Sequence, residues 1–162
     1  MGEFLAKRVV HHFVQTYDAP PEKVFPLLSP VREADWVPGW HYRMIYSESG
    51  DAELGCVFAT PNPDDTETTW IVTAYDPANY RIEFVWIDPG LVATQIEIAL
   101  SPAPPGKSRA GVRYTYTALS EPGNGVLERY TRTWFERKMR GWERSLNHYL
   151  HTGQMIASTG WQ

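Results

Sequence analysis

The period of the hydrophobic pattern changes once along this chain, and that change limits the folds open to it. Residues 79–87 (N-Y-R-I-E-F-V-W-I) alternate, with Ile82, Phe84 and Trp86 on one side and Arg81 and Glu83 on the other. Residues 91–100 place Val92, Thr94, Ile96, Ile98 and Leu100 opposite Gln95 and Glu97; residues 111–119 set Val112, Tyr114 and Tyr116 against Arg113, Thr115 and Thr117. A period of two belongs to strands with one buried and one wet face, the usual mark of an antiparallel sheet. From about residue 124 to 150 the steps become three and four. Leu127, Thr131, Phe135, Met139, Trp142, Leu146 and Tyr149 then fall on one helical stripe. Such a helix, with Asn124 as N-cap and Gly153 as its stop, runs roughly 40 Å at 1.5 Å per residue. The simplest way to bury its stripe is to lie along the apolar face of the sheet.

Four further strands are expected at residues 8–17, 40–48, 55–60 and 67–75, closed by turns rich in Gly, Pro and Asp. The segment 101–108 (S-P-A-P-P-G-K-S) reads as a surface loop. Residues 19–40 are unusual, with five prolines and two tryptophans in one connection between strands. Pro20 and Pro21 suit a first helical turn, Pro26 should kink or shorten it, and Ser29-Pro30 repeats the start signal as N-cap and first position. The second short helix should fade at Trp36, before Pro38-Gly39. The order is strand, two short helices, six strands and one long helix: an α+β curved antiparallel sheet of about seven strands around a C-terminal helix. A lipocalin barrel has no place for the two-helix insertion.

At 162 residues the chain is most simply one domain, 1–162. A net charge of −4 argues against a dedicated nucleic-acid binder. The local cluster Arg129, Arg132, Arg137, Lys138, Arg140 and Arg144 is interleaved with Glu128, Glu136 and Glu143, as on a solvated helix face. With Cys56 the only cysteine, no internal disulfide is expected. Residues 1–8 lack the apolar run of a signal peptide, and no segment reaches membrane-spanning length, so a cytoplasmic protein is expected, a monomer or weak homodimer. His148 and His151 stand three apart on a helix but project away from the apolar stripe, and His11 and His12 face opposite sides of a strand. Neither a metal site nor a cofactor is therefore expected.

The A-P-P-E-K-V-F at residues 19–25, the Y-D-P at 75–77 and the closing W-E-R-S-L at 142–146 resemble the START-like SRPBCC superfamily, with its helix-grip fold, and in particular its polyketide cyclase/dehydrase-like and activator-like branches. The resemblance covers nearly the whole chain. It implies a cavity between sheet and long helix, open near the two short helices. It does not choose among the activities found on that fold.

The candidate site residues follow from the expected cavity. Trp70, Phe84, Trp86, Tyr114 and Tyr116 point inward on the sheet, either as plain core or as the wall that grips a flat ligand. Asp35 and Trp36, with Trp40 and His41, flank the mouth, where an Asp and a His can act as acid and base. The simpler assignment has Asp35 at a helix end and His41 in water. Glu128 projects near the centre of the helical stripe, almost in line with Phe135, so it sits at an exposed end of the stripe or is paired inside with Tyr114, Tyr116 or His41. Thr131, small and polar where a core wants Leu, either leaves room for a ligand or packs against a bulky ring. The first functional expectation is a binding protein for a hydrophobic or aromatic small molecule. The second is an acid–base enzyme of the cyclase/dehydratase type, which requires at least two polar groups converging in the cavity. The third is an interaction module of the chaperone-activator kind, which requires a broad outer patch.

Overall fold

A computed structural model describes residues 2–158. Strand β1 (Arg8–Tyr17) leads into the short helix α1 (Pro21–Val24), a 3₁₀ turn (Phe25–Leu28) and α2 (Pro30–Glu33). Strands β2 (Arg43–Tyr46), β3 (Val57–Pro61), β4 (Glu67–Asp76), β5 (Arg81–Asp88), β6 (Val92–Ala103) and β7 (Lys107–Ala118) follow, then α3 (Glu121–Leu127) and α4 (Arg132–Thr152). All seven strands pair antiparallel in the order β1-β7-β6-β5-β4-β3-β2. The first strand thus lies beside the last, the sheet curves, and α4 packs into its concave face against β1. This is the helix-grip arrangement.

The alternation predicts the faces. Ile82, Phe84, Trp86, Ile96, Ile98, Val112, Tyr114 and Tyr116 are buried, while Arg81 pairs with Glu83 and Arg113 with Glu97 on the outer side. The segment 101–108 is not a loop throughout. β6 runs on to Ala103 and β7 resumes at Lys107, so the turn is only three residues. The strand expected over 40–48 shrinks to Arg43–Tyr46, with a bulge between Met44 and Tyr46.

The segment between β1 and β2 forms a lid. Ser29 caps α2, its Oγ accepting from the Arg32 amide at 3.1 Å, and Pro26 turns the first helix into the 3₁₀ geometry. Two indoles staple the lid to itself. Trp36 Nε1 donates to the Leu27 carbonyl at 2.8 Å, and Trp40 Nε1 to the Pro30 carbonyl at 2.8 Å. Ser145 of α4 donates to the Trp36 carbonyl, which ties the lid to the long helix.

The single C-terminal helix is corrected to two. Asn124 is not the cap. Ser120 caps α3 by accepting from the Gly123 amide, and Asn124 is buried inside it, its Oδ1 accepting from the Lys7 amide and its Nδ2 donating to the Leu5 carbonyl. The chain leaves helix at 128–131, and Thr131 restarts it as N-cap, its Oγ1 accepting from the Trp134 amide at 3.2 Å. Gly123 and Gly125 weaken the first helix. A Ser, Thr, Asn or Asp side chain competes for backbone donors and favours a cap over a helix interior. The Tyr130 carbonyl freed by the break bonds to His11 Nε2 at 2.8 Å, so that ring nitrogen carries the proton. Beyond the break the stripe holds: Phe135, Met139 and Leu146 are fully buried, Trp142 and Tyr149 partly so. Gly153 ends the helix at φ 71°, in the left-handed region where a side chain is disfavoured.

Candidate functional site

Cross-strand register lines up one row of side chains over five strands: Phe58 opposite Trp70, Trp70 opposite Trp86, Trp86 opposite Thr94, and Thr94 opposite Tyr116. The rings touch along the row. Phe58 and Trp70 stack at 5.3 Å and 17°, Trp70 and Trp86 centroids lie 4.3 Å apart, and Phe84 meets Trp70 edge-on at 6.2 Å. Trp40 comes down from the lid, edge-on to Trp70 at 5.9 Å. Between this floor, the lid and α4 lies a cavity of about 300 Å³, whose far wall is Trp142 and whose polar rim is Thr60, Thr68 and Asp88. The rim is tied down: Trp70 Nε1 donates to Thr60 Oγ1 at 2.9 Å, and Thr68 Oγ1 to Asp88 Oδ1 at 2.6 Å.

Three polar groups inside the cavity are not tied down. Glu33 ends α2, and its carboxyl has no hydrogen-bond or ion-pair partner among the described residues. Burial pushes its pKa well above the usual carboxylate range, because ionising it without water or a cation is costly. Lys138 projects from α4 into an aromatic cage, its Nζ 5.4 Å from the Trp86 ring centre, 5.2 Å from Tyr114 and 5.3 Å from Trp134. It too has neither an ion pair nor a hydrogen bond among the described residues. Burial lowers its pKa to about 8, against a smaller opposing pull from Asp88. Burial raises the pKa of the Tyr114 hydroxyl well above the ordinary phenol value. Glu33 and Lys138 keep some accessible surface, and both line the cavity. The Trp142 Nε1 proton, also on this wall, is buried and unpartnered among the described residues.

Of the twelve residues singled out from the sequence, Trp40, Trp70, Phe84, Trp86 and Tyr114 line this cavity. Phe135 and Tyr116 lie one layer behind. Phe135 stacks on His11 at 5.0 Å and meets Tyr114 edge-on at 5.2 Å, while Tyr116 packs on Tyr130. Trp36 is wholly buried in the lid and meets Trp142 at 6.0 Å. The remaining four are elsewhere. Asp35 is exposed and pairs with Arg32 at 2.9 Å, and His41 is exposed. Glu128 lies on the surface, paired with Lys7 at 2.8 Å, because the helix has already ended there. Thr131 is the exposed cap described above. Glu33 and Lys138 escape the sequence reading, which places Lys138 on the solvated basic face. Lys138 stands three residues after Phe135 and four before Trp142, at the flank of the stripe, and that spacing is the signal available in the sequence.

His11 serves packing, and His151 pairs at the surface, its Nε2 2.8 Å from Asp18 Oδ2. Among the described residues no three His, Cys, Asp or Glu side chains cluster as metal ligands, and no helix is long and apolar enough to cross a membrane.

The profile of a family described as polyketide cyclase / dehydrase and lipid transport matches residues 10–147. No curated protein sequence matches the chain. Among solved structures it is similar to Ara h 8.0201, with a TM-score of 0.64, 16% identity and coverage of 90% of this chain and 99% of that one. It is similar to norcoclaurine synthase from Thalictrum flavum, with a TM-score of 0.66, 14% identity and coverage of 91% and 88%. The di-domain ARO/CYC BexL from the BE-7585A biosynthetic pathway has a TM-score of 0.63 and 16% identity over 90% of this chain and 46% of that one. At these identities the likeness is one of fold.

Proposed function

The chain belongs to the polyketide cyclase / dehydrase and lipid transport family of the SRPBCC superfamily, and from that premise we propose that it binds a flat aromatic small molecule in the cavity between the sheet and α4. The observation that carries this reading is the row of rings from Phe58 through Trp70 to Trp86, closed over by Trp40 and Trp142. A volume of about 300 Å³ is at the small end of ligand sites, which span roughly 300–1,000 Å³. It suits a compact ring system better than a sterol or a full acyl chain. Removing roughly 150–250 Å² of aromatic surface from water is worth about 4–6 kcal/mol. The cost of immobilising the ligand consumes much of that, so useful affinity also requires its polar atoms to meet Glu33, Lys138 and the Tyr114 hydroxyl.

Titration of tryptophan fluorescence with naphthalene- and anthraquinone-type compounds, sterols and fatty acids tests this. The ring compounds should change the emission and bind more weakly to Trp70→Ala. If no ring compound produces a change, or if Trp70→Ala binds them as the wild type does, the reading is wrong.

A second reading is favoured by one specific observation: an unpartnered acid and an unpartnered amine line the same cavity. Burial raises the Glu33 pKa well above the usual carboxylate range, which favours the proton-donating form, and a lysine with a pKa of about 8 is in part a free base. That is the pairing an acid–base cyclisation or dehydration uses.

A further inference from the structure

We infer that Lys138 forms an imine with an aromatic aldehyde or ketone held in the cavity, which makes the site a covalent one for carbonyl ligands. The inference deepens the reading of this cavity as the ligand site and rests on it.

The geometry sets Lys138 apart from every other lysine of the chain. Of the four lysines in the sequence, Lys7 is paired with Glu128 and Lys107 with Asp18, both on the surface, and Lys23 is exposed. Lys138 alone is in the cavity. Three ring faces surround its ammonium, and no carboxylate among the described residues pairs with it. Rings on three sides stabilise the cation modestly through their quadrupoles, but they offer no acceptor for its N–H groups. They leave the nitrogen facing the space where a flat ligand would lie on Trp86 and Trp70. Burial then favours the neutral amine, the nucleophilic form. The titratable groups lining the cavity with it are Asp88 at the end of β5, Tyr114 on β7 and Glu33 on α2. Asp88 opposes the lowering without cancelling it, and burial raises the pKa of both Glu33 and Tyr114 well above their ordinary values.

The step balances without any further reactant. The nitrogen lone pair forms a bond to the carbonyl carbon while the C=O π pair moves to oxygen. The oxygen takes up a proton, for which the Glu33 carboxyl is the acid lining the same cavity. Nitrogen returns one proton to the Glu33 carboxylate, which passes it to the hydroxyl. The hydroxyl leaves as water, a protonated C=N bond remains, and its N–H proton restores the Glu33 acid when the neutral imine forms. When protonated, that imine draws electrons from the adjacent carbon more strongly than the parent carbonyl. In a ketone that carries an adjacent C–H it therefore eases loss of that proton and then of a β-hydroxyl, the steps that cyclisation and dehydration share.

The experiment incubates the full chain with 2-naphthaldehyde and sodium cyanoborohydride and maps the reduced adduct by peptide mass spectrometry, with naphthalene as a non-carbonyl control ligand. At pH 7 a lysine of pKa about 8 has roughly 10% free amine, against under about 0.1% for an ordinary lysine. Allowing for the lower nucleophilicity of the weaker base, labelling of Lys138 should exceed that of Lys7, Lys23 or Lys107 by at least about tenfold. Its rate should level off near pH 8, while the other three keep rising through pH 9, and excess naphthalene should protect Lys138 alone. Lys138→Arg, its fold verified by urea unfolding, should take no label in the cavity. The protection measurement needs no variant and stands even if that one folds poorly. Naphthalene binding with label spread over the lysines according to exposure overturns the imine and leaves the binding reading intact. No fluorescence response to naphthalene, together with no selective label, overturns both.

Discussion

Replacing Glu33 by Gln removes the ionisable group and keeps its shape, so it isolates the cost of burying the carboxyl. In the folded chain the Glu33 pKa lies well above its ordinary value of 4.5 because of burial. The native state therefore holds this proton more tightly than the unfolded state. Below about pH 4.5 both states are protonated and the residue contributes no pH dependence. As pH rises from there towards the folded pKa, the unfolded chain ionises first, and native stability falls by about 1.4 kcal/mol per pH unit. The Glu33→Gln variant has no such slope. Between pH 5 and pH 7 the variant should gain on the wild type by at most about 2.7 kcal/mol. A gain of that sign, up to that limit, is expected. Urea unfolding of both proteins at the two pH values measures it. Comparison at equal pH cancels every other titrating group, Lys138 included. If the difference between the two proteins is the same at pH 5 and pH 7, the fold does not desolvate this carboxyl, and Glu33 is not a buried acid of the cavity.

Two packing predictions test the frame around the cavity. Trp36→Phe removes the donor that pairs the buried Leu27 carbonyl and should cost about 1–3 kcal/mol for the orphaned acceptor, before any loss of ring volume. An unchanged urea midpoint would show that the indole does not staple the lid. Gly123→Ala would place a Cβ 2.0 Å from the Leu91 backbone oxygen, which cannot swing aside. A loss of about 1–3 kcal/mol is expected, whereas Gly125→Ala, with open space around it, should be neutral or stabilising by up to about 1 kcal/mol through helix propensity. Equal effects at the two positions would mean that α3 is not seated against the β5–β6 turn.

The sheet is legible in the sequence because a strand buried on one face announces itself in a period of two, and β5, β6 and β7 have few exceptions. The lid is legible from its own punctuation: Ser29 caps, Pro21 and Pro30 start helices, and Pro26 tightens the turn between them. The long helix is not legible at its start, because Leu127 and Thr131 satisfy the helical spacing by coincidence. Periodicity detects which side chains share a face, not whether the backbone between them is continuous. The same coincidence draws Glu128 towards the site, since its projection onto the stripe holds only if the helix runs through it. In the structure the break at 128–131 turns Glu128 out to Lys7 and frees the Tyr130 carbonyl for His11.

The two polar groups of the cavity are hidden for a different reason. Glu33 sits on a four-residue helix, too short to carry a pattern, and Lys138 sits on the flank of a stripe among arginines that face water. A pattern assigns charged residues to solvent, and here solvent is replaced by a cavity that only the tertiary arrangement creates. Glu33 from α2, Trp40 from the lid and Trp142 from α4 line that space. Folding thus brings an acid and an amine out of water without pairing either to a protein group. An apolar pair of similar size would pack there with less desolvation cost. The burial of Glu33 and Lys138 is unfavourable to the empty protein and becomes favourable when a ligand supplies the missing partners. The stability lost to them without ligand should therefore reappear as ligand affinity.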